Sequence, residues 1–132
     1  MRKGIKILII VLAVLIAVGV TGTLIISNLA KGLDNYLANV EITPVDLDRI
    51  EDGTYPGHID AGIIKVSLEV DVRDHVITDI RLLEHRNGQG GPAEKIIPRI
   101  IEEQRVDVDT ISGATYSSLV IQGAVCKALE RL

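Results

Sequence analysis

The sequence predicts an α+β fold: a small antiparallel sheet with helices, preceded by one N-terminal transmembrane helix. Three observations support this prediction. A long apolar run lies near the N-terminus, two central segments alternate apolar and polar residues, and the C-terminal segment has an apolar stripe at helical spacing. A chain of 132 residues that gives part of its length to the apolar run leaves room for one small domain.

The apolar run extends from Ile7 to Ile26 and contains no charged residue. A helix needs about 20 apolar residues to cross a bilayer, and Arg2, Lys3 and Lys6 stand directly before this run. Because positive flanks stay in the cytoplasm, residues 1–27 are predicted to be a single-pass cell-membrane anchor with the C-terminal part outside. A cleaved signal peptide is the alternative, but its apolar region is usually shorter, about 7–15 residues.

Residues 28–49 are predicted to be a juxtamembrane helix and a connector. Apolar residues recur at spacings of three and four from Asn28 to Val40, which indicates a helix that docks on the domain. The segment from Ile42 to Ile50 contains a proline and alternating apolar residues, and it is predicted to be extended.

The folded domain is assigned to residues 50–132. A short strand is predicted at Thr54–Tyr55, ending where Pro56-Gly57 interrupts it. Residues Lys65 to Val72 alternate apolar and polar side chains, which predicts a strand with one buried face. A second strand from Val76 to Leu83 is expected to pair back as an antiparallel hairpin.

Further details of the hairpin are also predicted. Thr78, Ile80 and Leu82 are expected to share one face of the second strand, and a tight turn is expected at residues 73–75. His58 and His75 are expected to lie in turns.

Two helices are predicted after the sheet. The first is short and ends at Gln104, with Pro98 in its first turn, where a proline is tolerated. The second runs from Thr115 or Tyr116 to Leu132, with Ser117 or Thr115 capping its start. Before them, the residues NGQGG at 87–91 are predicted to form a flexible loop, without the spacing of a nucleotide-binding motif.

The composition excludes several classes of function. The single cysteine, Cys126, excludes an intramolecular disulfide and any paired-cysteine zinc or redox motif, and it is expected to be buried. The three histidines are scattered and predict no metal site. Three of the 14 basic residues precede Ser27, which leaves 11 basic and 18 acidic residues beyond it, a net charge of −7. Such an acidic segment argues against binding nucleic acid.

The segment most informative about function is Asp109-Thr110-Ile111-Ser112-Gly113-Ala114-Thr115. Its last residue stands where a helix is predicted to begin, and free N–H groups at a helix N-terminus suit a phosphate. An ordinary loop followed by a helix cap is the alternative, and the residues by themselves leave both interpretations open.

The segment matches the covalent flavinylation motif Asp-x-x-Ser/Thr-Gly-Ala-Thr at every specified position. Together with Asp52-Gly53-Thr54-Tyr55-Pro56-Gly57, Leu83-Glu84-His85, Gln104 and Val108-Asp109, it makes residues 50–131 resemble the FMN-binding domain family. That family includes the flavin-bearing small subunits of the sodium-pumping quinone reductase and of the ferredoxin-linked respiratory complex. The chain is shorter than those subunits, so the resemblance does not assign it to either complex.

The resemblance implies that FMN is joined through its phosphate to the Thr115 hydroxyl by a flavin transferase that uses FAD and magnesium. Asp109, Ser112, Gly113 and Ala114 would then be recognition residues around the acceptor. The chain would be a membrane-anchored, extracytoplasmic electron carrier, or an oxidoreductase subunit, between a membrane electron donor and an extracytoplasmic acceptor. A reductase subunit that acts on a small acceptor, and a non-redox binding or sensory module, are the alternatives.

Two more residues are candidates for contacts with the flavin. His85 ends the second predicted strand beside the glycine-rich loop, where it could hydrogen-bond the isoalloxazine or the phosphate; a surface histidine is the alternative. Tyr116 follows the acceptor and either packs on the flavin or simply begins the helix.

Overall fold

The fold is described from a computed structural model, which covers residues 2–87 and 90–130. It confirms the α+β prediction, with a three-stranded antiparallel sheet in the order β1-β2-β3. Two short 3₁₀ turns, Leu47–Arg49 and Gly91–Lys95, interrupt the connections. The elements are, in chain order, α1 (Arg2–Asn39), β1 (Gly53–Ala61), β2 (Ile64–Arg73), β3 (Val76–Arg86), α2 (Ile96–Glu103) and α3 (Thr115–Leu129).

Helix α1 continues without a break from the predicted anchor into the predicted juxtamembrane helix. It is long and apolar enough to cross a membrane, with a mean hydropathy of 2.9 in its most apolar part. Beyond that part, Leu33 and Tyr36 pack against the core of the domain. The predicted docking of this segment on the domain is therefore confirmed.

Strand β2 lies at the centre of the sheet and shows the predicted alternation. Its inward side chains, Val66, Leu68, Val70 and Val72, are at most 1% exposed. β2 pairs with a neighbouring strand on both sides, and the helices pack against its inner face.

The prediction of a short first strand that ends at Pro56-Gly57 is wrong, because β1 runs unbroken from Gly53 to Ala61. Pro56 stands opposite Glu69 in the pairing with β2. β1 is an edge strand, and an edge tolerates a proline because one side of the strand has no partner for an N–H group. His58 consequently lies in this strand and not in a turn, with its Nδ1 2.7 Å from the Ser67 hydroxyl.

The second hairpin strand is confirmed, but the prediction that Thr78 shares a face with Ile80 is wrong. A bulge at this position pairs Ile77 with Val72 and Ile80 with Val70, so both isoleucines are buried and Thr78 is exposed. A second bulge, at Leu83, leaves that side chain 63% exposed.

The predicted tight turn between β2 and β3 is confirmed, and His75 lies in it as expected. Asp74 and His75 both have positive φ values, 50° and 62°, as in the primed turns whose twist suits a two-residue hairpin. The N–H of Asp74 donates to Asp52 Oδ1 at 2.7 Å, which links this turn to the start of β1.

Helix α2 has Pro98 in its first turn, as the sequence predicts, and it ends at Glu103, one residue before the predicted end; Gln104 follows as the C-cap with a left-handed φ of 51°. Helix α3 lies on the inner face of the sheet, against β1 and β2, and buries most of its residues, including Cys126. The predicted hydroxyl cap of α3 is wrong: the capping position is Ala114, and no side chain caps the helix. Leu132 and residues 88–89 of the glycine-rich loop lie outside the described residues.

Candidate functional site

The loop that leads into α3 is held by side chains from two helices. The Ser118 hydroxyl in α3 accepts the N–H of Ile111 at 3.1 Å and donates to the Ala114 carbonyl at 2.8 Å. The Arg99 guanidinium in α2 donates to the carbonyl of Asp109 at 2.9 Å. These bonds fix the path of residues 109–114, and thereby the position at which α3 begins.

A buried amide holds the segment before that loop. Gln122 is 2% exposed, and its Nε2 donates to the carbonyls of Val106 and Val108, both at 2.8 Å. Carbonyl groups of an irregular segment need such partners when they are buried. Gln122 therefore anchors to α3 the stretch of chain that enters the motif.

The turn directly before α3 requires a glycine. Gly113 has a φ of +80°, a conformation that residues with a side chain adopt only at a cost. The N–H of Ala114 then donates to the carbonyl of Ile111 at 3.0 Å, which closes the turn. After this turn, Thr115 is the first residue of α3, and its side chain is exposed.

Within the described part of the chain, the N-terminus of α3 presents donors without a partner. The N–H groups of Thr115, Tyr116 and Ser117 belong to the first turn, where an α-helix has no internal acceptor for them. Ala114 at the capping position has no side-chain oxygen that could accept from them. Free donors and the positive end of the helix dipole together favour an anion here.

A cleft of about 490 Å³ opens at this helix terminus. The glycine-rich loop and the start of β2 form one side, and the motif and the first turn of α3 form the other. None of the described residues that line it is charged; they are Ile64, Asn87, Gly90, Gly113, Ala114, Thr115, Tyr116 and Ser117. Donors in this cleft are therefore backbone N–H groups, hydroxyls and an amide.

One of these hydroxyls has no partner. Ser117 is 2% exposed, and its buried Oγ makes no hydrogen bond within the described part of the chain. Gly90 lies close against it, since a Cβ added at Gly90 would approach the Ser117 Cβ to 2.7 Å. A buried polar group without a partner costs about 1–3 kcal/mol, so a ligand that accepts from Ser117 would recover part of that free energy.

The structure brings only some of the sequence-predicted site residues to the cleft. Gly113, Ala114, Thr115 and Tyr116 line it, and the Tyr116 side chain is 59% exposed there. Asp109 and Ser112 lie in the loop that approaches the cleft, and both are exposed.

His85 is not among the residues that line the cleft, and it is not a surface residue. The second bulge in β3 places it opposite Val66 on the inner face, where its side chain is 2% exposed. Its Nδ1 lies 2.9 Å from a carboxylate oxygen of Glu94. Asn87 connects it to the cleft, because the Asn87 amide lines the cleft and donates to the His85 carbonyl at 3.0 Å.

Sequence reasoning missed the roles of Ser117, Asn87 and Gln122. Ser117 was expected to cap α3, and its unpartnered position depends on the close approach of Gly90, which local sequence does not show. The sequence does contain a signal for Gln122, because it is the one amide side chain in the otherwise small or apolar segment from Leu119 to Cys126. Within residues 2–87 and 90–130, no group of three potential metal ligands is found.

Comparison with protein families identifies the family of this chain. A family model described as the FMN-binding domain matches residues 61–130, which include the sheet from the end of β1 onward, the cleft and α3. No curated protein matches the chain. Since the family model covers more than half of the sequence, the chain belongs to the FMN-binding domain family.

Proposed function

We propose that this member of the FMN-binding domain family carries FMN in a phosphoester with the Thr115 hydroxyl and transfers electrons as a membrane-anchored extracytoplasmic protein. FMN, when bound, supplies one- or two-electron redox chemistry. One observation carries the proposal. Thr115 is the exposed first residue of α3, at an uncharged cleft where free backbone N–H groups meet the buried, unpartnered hydroxyl of Ser117.

The residues of the cleft fit a phosphoester. Such an ester on Thr115 carries a negative charge next to the positive end of α3, an interaction worth about 0.3–1 kcal/mol. With no cation among the described lining residues, the donors available to that charge are the first-turn N–H groups, the Ser117 hydroxyl and the Asn87 amide. Gly113 and Ala114 place no bulky side chain beside the acceptor.

Attachment of the flavin requires an exposed hydroxyl and a separate enzyme, the flavin transferase. In the balanced reaction, the Thr115 oxygen attacks the phosphorus of FAD on the riboflavin side, the bond between the two phosphates breaks, and adenosine monophosphate leaves with the electron pair. The hydroxyl proton is released to a base. The exposed position of Thr115 lets a flavin transferase reach it.

The anchor explains why a covalent bond is useful. Arg2, Lys3 and Lys6 before the apolar run favour a cytoplasmic N-terminus and an external domain. Outside the cell a dissociable flavin is lost by dilution, whereas a tethered one stays at high effective concentration near its partners. We infer a membrane electron donor and an extracytoplasmic acceptor as those partners.

The intact mass of denatured protein tests the proposal. The full chain is co-expressed with a flavin transferase that is shown to be active on another target. We expect a gain of one FMN less one water in the wild type and in Thr115→Ser, and no gain in Thr115→Val, which has nearly the same shape but no hydroxyl. An unmodified wild type, or a modified Thr115→Val, would refute the linkage. Yellow colour that is fully released on denaturation would instead favour a non-covalent binding module.

A further inference from the structure

The contacts between α1 and α3 determine which way the cleft faces. Two contacts follow one another along α1 and the chain after it. The Tyr36 hydroxyl donates to the Leu119 carbonyl at 3.4 Å, and the Thr43 hydroxyl donates to Glu130 Oε1, directly after α3, at 2.6 Å. Chain further from the apolar run thus meets positions further along α3. The N-terminus of α3 therefore points toward the side of the domain where the apolar run ends.

The residues of α1 that contact the domain lie close to the end of the apolar run. With a rise of about 1.5 Å per residue, Leu29 lies about 4.5 Å beyond Ile26, the last residue of the apolar run, and Tyr36 lies about 15 Å beyond it. Thr115 is four residues, about one helical turn, before Leu119, at the end of α3 that points toward the apolar run.

A second set of contacts leads independently to the same placement. A Cβ added at Gly62, in the β1–β2 turn, would lie 3.2 Å from the carbonyl carbon of Leu29, so this turn touches α1 just above the apolar run. Ile64, two residues after Gly62, lines the same cleft as Thr115. The turn, the cleft and the start of α3 therefore share one end of the domain.

The side chains at this end suit a lipid surface. Ile63 is 37% exposed and Tyr116 is 59% exposed. The Arg86 guanidinium donates to the Gly62 carbonyl at 2.6 Å. Asp60 is also present, and its carboxylate accepts the N–H of Gly62 at 3.0 Å. Aromatic and basic residues are typical of the membrane–water interface.

We propose that this end of the domain rests on the bilayer, with Ile63 and Tyr116 in the headgroup region and the cleft open toward the membrane surface. The proposal rests on α1 being a membrane anchor, as the proposed function requires. A redox partner that lies in the plane of the membrane then reaches the cleft directly, whereas a soluble partner has to approach along the bilayer surface.

The absence of tryptophan from the sequence makes a direct test possible. Three single-tryptophan variants of the full chain are made without a flavin transferase, so that no flavin quenches them: Ile63→Trp, Tyr116→Trp and the control Val76→Trp. Val76 is 44% exposed and begins β3 beside the β2–β3 turn, at the opposite end of the sheet. Each variant is reconstituted in vesicles of plain or brominated phosphatidylcholine.

We expect Ile63→Trp and Tyr116→Trp to lose part of their fluorescence in brominated vesicles, because side chains in the headgroup region lie next to the acyl chains that carry the bromine. Val76→Trp should be unchanged. Equal quenching of all three variants, or none in any of them, would overturn the proposed orientation. Flotation of the vesicles separates this failure from failure of the anchor: a protein that does not float with lipid overturns the proposed anchoring as well.

Discussion

Gly57 lies where the sheet approaches the helix that carries Thr115 closely, and replacing it with alanine tests this close packing. Gly57 is buried in β1, and a Cβ added there would clash with the Ala124 carbonyl oxygen of α3. It would also lie 2.9 Å from the carbonyl carbon of Ala124 and 3.1 Å from the Ala128 Cβ. Since carbon atoms pack at about 3.5–4.0 Å, α3 has to move away by about 0.6 Å or more.

The expected change in the free energy of unfolding follows from two opposing effects. Overpacking of this kind costs about 1–3 kcal/mol, while replacing a strand glycine by alanine without a clash gains about 0.5–1 kcal/mol. The clash involves backbone, which cannot rotate away, so the cost is expected near the upper end. We expect Gly57→Ala to lower the free energy of unfolding by about 2 kcal/mol.

Gly53→Ala is the matched control in the same strand. Its added Cβ would meet only the Tyr55 ring, at an ordinary 3.6 Å, so Gly53→Ala should be neutral or slightly stabilising. Denaturant unfolding of the full chain in mild detergent, followed by far-UV circular dichroism, gives both midpoints. Equal stability of the two variants would refute the close packing of β1 on α3, and with it the means by which the sheet positions Thr115.

The remaining predictions about stability and reactivity concern three residues of α3. Gln122→Leu should lower the free energy of unfolding by about 1–3 kcal/mol, because it leaves the Val108 carbonyl without its donor, while the Val106 carbonyl keeps the N–H of Val108; the same unfolding assay measures it. Ser117→Ala should leave the unmodified protein as stable or up to about 1 kcal/mol more stable, since it removes an unsatisfied buried hydroxyl, but it should reduce the melting-temperature gain on flavinylation. Burial, with a smaller effect of Glu130, raises the pKa of the Cys126 thiol to about 11; iodoacetamide should therefore label it slowly at pH 8 until the protein unfolds. Because the folded pKa exceeds the unfolded one, this thiol's contribution to stability is complete below about pH 9 and is lost as pH rises toward 11, which unfolding midpoints at those pH values would reveal.

The hairpin was predictable because its strands alternate, and alternation is a local property. The face of β3 was not, because the bulges at Thr78 and Leu83 each shift the pairing by one residue without any local signal in composition. The same shift turns His85 inward, although its position at a strand end indicates the surface. In β1, Pro56 is a local turn signal that the edge position overrides.

The candidate site was likewise predictable from the sequence only in part. That Thr115 begins a helix after a bare Gly113-Ala114 turn follows from neighbouring residues, and the structure places it there. The burial of Ser117 depends on Gly90, which comes 27 positions earlier in the sequence and meets α3 only in the folded chain. Contacts of this kind depend on how the sheet and the helices pack, so no local sequence pattern predicts them.

The uncharged lining of the cleft predicts how weakly free FMN binds. A helix N-terminus contributes about 0.3–1 kcal/mol to holding an anion, whereas micromolar affinity requires about 8 kcal/mol. Of the large apolar side chains, only Ile64 and Tyr116 are among the described lining residues, and Ile64 is already buried, so little further apolar surface is available to the flavin ring. Titration of the unmodified protein with FMN, followed by flavin fluorescence, should therefore show no saturation in the micromolar range. Saturable micromolar binding that survives in Thr115→Val would show that the cleft holds the flavin without the ester, and it would refute the inference that an uncharged lining binds free FMN weakly.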